Sequence, residues 1–140
     1  MTGPYFKFME GNDGSKATVC KVKPLTASRM SMKSMLTKWN CANDKARSMV
    51  LCYALKGTKI TVYGDPEMRQ EKDAYAEITV LEDMNDKNGK EGCLTIPTFE
   101  KSQIINIIDG INLVIPTIKV NYPKIGNLDG KVSSFVMSVP

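Results

Sequence analysis

The sequence predicts a single α+β domain over residues 1–140, with two helices of the N-terminal half packed on a largely antiparallel sheet. Apolar residues recur at helical spacing at Met32, Met35, Leu36 and Trp39, and again at Ala46, Met49, Val50 and Tyr53. From residue 58 onward the pattern changes to short alternating runs punctuated by Gly, Pro, Asn and Asp. Helical and strand patterns are thus segregated along the chain, which is the α+β signature. With 140 residues, 42% hydrophobic and 24% charged, the chain has the size and composition of one globular domain.

Taken in order, Tyr5, Phe6 and Phe8 open a strand, and Gly11-Asn12-Asp13-Gly14 is a turn. Residues 17–23 alternate, so 5–23 predicts a hairpin with Lys16, Lys21 and Lys23 outside. Pro24 ends it, and Ser28 or Ser31 caps the first helix, whose stripe closes with Trp39 against the core. Asp44 caps the second, and Gly57 follows its end. Residues 49–55 are nearly all apolar, so a buried strand also fits there. The helix is preferred. Strands are then expected at 58–63, 75–81, 93–96, 104–108, 111–115, 118–122 and 132–139, with Pro97, Pro116 and Pro123 marking edges, bulges or bends. No internal repeat is visible.

Charge is divided by position. Residues 1–59 carry eleven Lys and Arg against three acids, a local net of +8, whereas residues 60–140 carry a local net of −4. A basic surface attracts phosphate, lipid headgroups or an acidic protein. The candidate anion-binding residues, for membrane or nucleic acid, are Lys16, Lys21, Lys23, Arg29, Lys33, Lys38, Lys45, Arg47, Lys56 and Lys59. Surfaces ordinarily mix signs, and few acids interrupt this set. The acids Glu67, Glu71, Asp73, Glu82, Asp83 and Asp86 are the candidate self-association surface, able to receive a neighbour's basic face. A head-to-tail contact of that kind propagates into arrays. Interleaved aromatics are few (Tyr5, Phe6, Phe8, Tyr53, Tyr63), which favours backbone or headgroup attraction over base stacking.

Catalytic chemistry finds little support. The chain has no His, which removes His-based triads and His-containing zinc sites. Its four cysteines, at 20, 41, 52 and 93, form no C-x-x-C pair and read as reduced, intracellular thiols. Cys41 and Cys52 flank basic residues but lack a partner base. Gly57-Thr58-Lys59 lacks the strand–loop–helix context of a phosphate loop. Asp83, Asn85, Asp86, Asn88 and Gly89 approach a calcium loop, but Lys87 stands where a third oxygen ligand belongs. Glu82 and Asp83 read as solvated loop charges. The expectation is a non-enzyme without cofactor or metal. No run reaches the ~18 apolar residues of a membrane span, so any membrane contact would be peripheral.

The run from Leu36 through Trp39, followed by Ala46-Arg47-Ser48-Met49-Val50-Leu51-Cys52-Tyr53-Ala54-Leu55-Lys56-Gly57, resembles the helical core of rhabdovirus matrix proteins. Downstream, Cys93-Leu94-Thr95-Ile96-Pro97-Thr98-Phe99 and Gly110-Ile111-Asn112-Leu113-Val114-Ile115 resemble that family's late hydrophobic strands. Family members commonly begin with a Lys-rich tail carrying a Pro-Pro-x-Tyr budding motif. This chain has only Gly3-Pro4-Tyr5, so either a tail has been trimmed or budding recruitment is absent, as expected of plant-infecting relatives, and a budding function is not carried over. The resemblance implies a virion structural protein that self-associates, condenses the nucleoprotein–RNA and links it to an anionic membrane. Its places would be the virion, the host cytoplasm, the inner face of the host membrane and the nucleus. Its partners would be other copies of itself, the viral nucleoprotein–RNA, the membrane surface and RNA directly. The alternative is a small β-rich module that binds single-stranded nucleic acid without sequence preference.

Overall fold

Residues Tyr5–Met9 read YFKFM, and strict alternation sends Phe6 and Phe8 inward and Tyr5 and Lys7 outward. The same two-residue period builds most of the molecule. The computed structural model describes residues 5–22, 28–31, 41, 45–65, 68–69, 74–84, 92–109, 113–122, 128 and 132–138, with 28–31, 108, 109 and 113 placed in the backbone only. Among the described residues there are ten strands and no α-helix. They are β1 (Tyr5–Met9), β2 (Thr18–Val22), β3 (Ser28–Ser31), β4 (Ser48–Cys52), β5 (Lys59–Tyr63), β6 (Tyr75–Val80), β7 (Cys93–Ile96), β8 (Gln103–Asp109), β9 (Leu113–Asn121) and β10 (Ser134–Ser138).

The strands form two antiparallel sheets, a first in the order β2-β1-β4-β7 and a second in the order β3-β10-β5-β6-β9-β8. Their inner faces share one core. Phe6 and Phe8 of the first sheet meet Phe135 of the second edge-on, with ring centroids 5.3 and 5.9 Å apart. Phe8 also meets Phe99 at 6.2 Å. Ile60, Val62, Ala76, Ile78, Val80, Ile118, Val120 and Met137 add to the second sheet's contribution, all fully or almost fully buried. Edge-to-face rings interlock more specifically than area alone requires.

The two halves of the chain exchange strands. Strands β1, β2 and β4 remain together, but β3, which lies between β2 and β4 in sequence, crosses to the second sheet. Reciprocally β5, β6 and β10 remain together, and β7 crosses to the first. Reading β7-β4-β1-β2 against β3-β10-β5-β6 gives the same order twice, with the β8–β9 hairpin added beyond β6. The register repeats as well, with Met9 opposite Ser48 and Tyr63 opposite Ser134.

The α+β expectation with two N-terminal-half helices is therefore corrected to an all-β sandwich. The residues of the expected second helix form β4, whose burial pattern runs almost unbroken from Ser48 to Cys52. A strand buried on both faces reads as a continuous apolar run, and such a run also satisfies helical spacing. The outer face of β4 is covered by the β1–β2 connection, where a short 3-10 turn at Asn12–Gly14 folds back over the sheet. The stripe of Met32, Met35, Leu36 and Trp39 lies outside the described residues. Ser28 and Ser31, expected as helix caps, bound β3 instead. The hairpin at the start and the strands at 58–63, 75–81, 93–96 and 104–108 are present. The two runs at 111–115 and 118–122 are one strand, β9, bulged at Thr117 next to Pro116.

The cysteines are also corrected. All four are disulfide-bonded, Cys20 to Cys41 and Cys52 to Cys93. Cys52 and Cys93 stand directly opposite on β4 and β7 with Cα atoms 4.0 Å apart. Spacing along the chain carried no sign of this, because the 41-residue separation closes only when β7 crosses between sheets. Neither Cys41 nor Cys52 is a free thiol nucleophile.

Candidate anion-binding face

On the outer face of the first sheet, Lys7 of β1 lies directly opposite Lys21 of β2. Both positions follow from alternation. Lys7 stands between inward Phe6 and Phe8, and Lys21 between inward Cys20 and Val22. Like charges directly opposite in an antiparallel pair repel. Here Tyr5 relieves part of that cost. The Lys21 ammonium sits 4.2 Å from the Tyr5 ring centroid, and Lys7 Nζ lies 6.0 Å from it. No Asp or Glu occurs anywhere in β1, β2, β4 or β7. The charges on the strands of this sheet are therefore all lysines, with the nearby acids Glu10 and Asp13 confined to the β1–β2 connection.

Tyr53 backs the cluster. Its ring centroid is 6.3 Å from that of Tyr5, tilted by 52°. Tyr53 holds a positive φ of 55°, a rare conformation for a bulky residue. Its amide donates to the Gly92 carbonyl at 2.8 Å, and its ring lies so close to Gly92 that an added Cβ there would stand 3.0 Å from it. Tyr5 Oη also lies 3.9 Å from Cys93 Sγ. The aromatic floor is thus anchored to the Cys52–Cys93 bridge.

The sequence-based candidates divide among several places. Lys21 is on the lysine face. Lys16 is exposed in the β1–β2 connection, and Lys45 is exposed just before β4. Arg47 is half-buried, and its guanidinium donates to the Glu10 carbonyl at 3.0 Å, so it clamps the hairpin rather than facing a ligand. Lys59 belongs to the second sheet, 4.0 Å from Glu77. Lys56 stands in the turn between the halves, where its amide donates to Asp83 Oδ1 at 2.8 Å. Arg29 is placed only by its backbone, opposite Val136. Lys23, Lys33 and Lys38 lie outside the described residues.

Of the acidic candidates, Glu82 and Asp83 are exposed after β6. Glu67, Glu71, Asp73 and Asp86 lie outside the described residues. Charge is thus segregated on the first sheet but mixed around Lys56, Lys59, Glu77 and Asp83. Sequence reasoning passed over Lys7. The signal was present in YFKFM, where one cation sits between two inward aromatics, but pairing it with Lys21 required the register.

Comparison with protein-family models, with characterised proteins and with solved structures returns no significant match.

Proposed function

We propose that the chain is a non-enzymatic attachment protein that binds an anionic membrane surface through the Tyr5–Lys7–Lys21 face. The observation that carries this is the directly opposed lysine pair on a sheet whose strands hold no acid. An anionic surface converts the mutual repulsion of the two ammonium groups into shared attraction. Each lysine near such a membrane contributes about 1 kcal/mol. Two give a weak contact that fades with salt and strengthens when several copies act together. Tyrosine suits a headgroup boundary, with an apolar ring and a polar tip.

Headgroups fit better than bases. Tyr5 already carries Lys21 over its ring and packs against Tyr53, so a nucleobase would have to displace one of them. The two disulfides support folding in an oxidising compartment, unlike the cytoplasmic placement that the matrix-protein resemblance implies. The segment resembling a helical matrix core is β4 and the turn after it. The proposal is accordingly attachment to an anionic surface, not condensation of a nucleocapsid.

Vesicle flotation tests it. The protein should float with phosphatidylcholine vesicles containing phosphatidylserine, be released by salt, and stay behind with phosphatidylcholine alone. The Lys7→Glu, Lys21→Glu double variant, its fold checked by circular dichroism, should lose flotation. Undiminished flotation of that variant, or equal binding to neutral vesicles, refutes the assignment. Tight binding of a short single-stranded oligonucleotide with no flotation would favour the nucleic-acid module instead.

A further inference from the structure

Strand β8 is the last in the second sheet, and no described strand pairs with its free edge. Edge strands template pairing with another chain, and proteins usually blunt them with Lys, Pro, a bulge or a covering element. Among the described residues β8 shows little such protection. Its sequence, Gln103-Ile104-Ile105-Asn106-Ile107-Ile108-Asp109, contains no Lys, Arg or Pro. The bulge in the β8–β9 pair falls on β9. Ile105 is opposite Ile118 and Asn106 opposite Pro116, which leaves Thr117 as the extra residue. β8 itself keeps an unbroken two-residue period. Ile104 on β8 and Val114 on β9 are 55% and 54% exposed, and Ile105, Ile107 and Ile115 are half-buried.

The geometry points to a second copy of this chain as the occupant of that edge, joined by antiparallel pairing of β8 with β8 about a two-fold axis at Asn106. The β8 sequence reads alike in both directions: polar, Ile, Ile, Asn, Ile, Ile, polar. A two-fold contact requires a surface complementary to itself, and a strand palindromic about its centre supplies one. In this register position 105 faces 107, position 104 faces 108, and Asn106 faces Asn106. Gln103 faces Asp109, so the strand's one charge never meets its like. Joining the edges would make one continuous twelve-stranded sheet, held by backbone hydrogen bonds with isoleucines clustered on both faces. The palindrome sets isoleucine opposite isoleucine and Asn opposite Asn when the partner is a second copy, a match that a foreign peptide of unrelated sequence does not supply. This self-association is independent of the lysine face, which lies on the other sheet.

Sedimentation equilibrium of the full chain over a concentration series should show a reversible monomer–dimer equilibrium. Asn106→Lys places two ammonium groups face to face at the axis and should weaken the dimer by about tenfold or more. Asn106→Cys supplies the lone free thiol, because the four native cysteines are bonded. Mild oxidation should convert it to a covalent dimer, while an exposed Ser102→Cys control should not crosslink. Position 106 is exposed, so both variants should fold. If Asn106→Lys nevertheless fails to fold, the crosslinking pair decides. A monomer at every concentration, an Asn106→Lys dimer of unchanged affinity, or equal crosslinking at 102 and 106 overturns the proposal.

Discussion

Ser48 and Ser134 make the same hydrogen bond in opposite halves of the molecule. Ser48 Oγ donates to the Gly11 carbonyl, and Ser134 Oγ donates to the Asp65 carbonyl, each at 2.5 Å and each from a fully buried side chain. The surrounding bonds match in turn. Glu10 and Gly64 amides donate to the Ala17 and Ala74 carbonyls at 2.9 Å. Arg47 and Ser133 amides donate to the Met9 and Tyr63 carbonyls at 2.9 and 2.8 Å. In both halves a serine that begins a strand, β4 or β10, bonds the carbonyl of a residue in the connection that follows β1 or β5.

Removing the Ser48 hydroxyl strands the buried Gly11 carbonyl, which costs about 1–3 kcal/mol, whereas the Asp65 carbonyl keeps the Met68 amide at 3.2 Å when Ser134 is truncated. Ser48 also accepts the Gly14 amide at 2.9 Å, so Ser48→Ala strands a donor as well. Urea unfolding should rank Ser48→Ala, at about 2–4 kcal/mol, above Ser134→Ala, at about 0.5–1.5. The two sites share no partner, so the double variant should lose close to the sum. A neutral Ser48→Ala would show that the hairpin is not held by this bond.

Gly14 stands at φ +70°, and an added Cβ would lie 2.9 Å from Thr95 Cγ2 and 3.4 Å from Val50 Cγ2. Gly14→Ala thus meets an unfavourable backbone conformation and a clash with the sheet beneath. A loss of about 1–3 kcal/mol is expected by chemical denaturation. Proteolysis at the 11–17 connection should quicken with it, as the hairpin lifts off β4.

Each disulfide closes a loop, of 21 residues for Cys20–Cys41 and 41 for Cys52–Cys93. Loop-closure entropy assigns about 3–4 kcal/mol to each. Replacing either pair with Ala should lower the melting temperature by roughly 10 °C. Mass spectrometry after alkylation of the unfolded, unreduced protein should find no labelled cysteine. Two or four labels would contradict the pairing.

Phe135 joins the sheets, packing edge-on against Phe6 and Phe8 from the opposite layer. Phe135→Ala should cost about 3–5 kcal/mol through lost burial and the cavity left behind. Phe135→Leu, which retains most of the volume, should recover much of that loss. Equal losses in the two variants would mean that ring geometry, rather than filling, dominates at this site.

Much of the second half was legible because its strands carry their own signal. Residues 75–80 alternate between half-buried and core positions, and in 59–63 the polar Lys59 and Thr61 alternate with the apolar Ile60 and Val62, so period two is written into both sequences although only Lys59 of the latter is exposed. β4 was not legible. Its outer face is covered by a hairpin beginning some forty residues earlier, and a strand covered on both sides loses its alternation. Part of the candidate site was visible as a basic N-terminal half. Lys56 and Lys59 share that half with Lys21 but fold among Asp83 and Glu77.

By itself the sequence determined where most strands run, that no His-based chemistry is available, and that residues 1–59 carry a net positive charge. Those properties are local, set by side-chain identity and a short period. Only the tertiary structure decided that β3 and β7 change places between sheets, that Cys52 meets Cys93, and that Lys7 meets Lys21. Such pairings depend on which distant strand lies alongside. That choice is made by burying two apolar faces against each other, not by either strand alone.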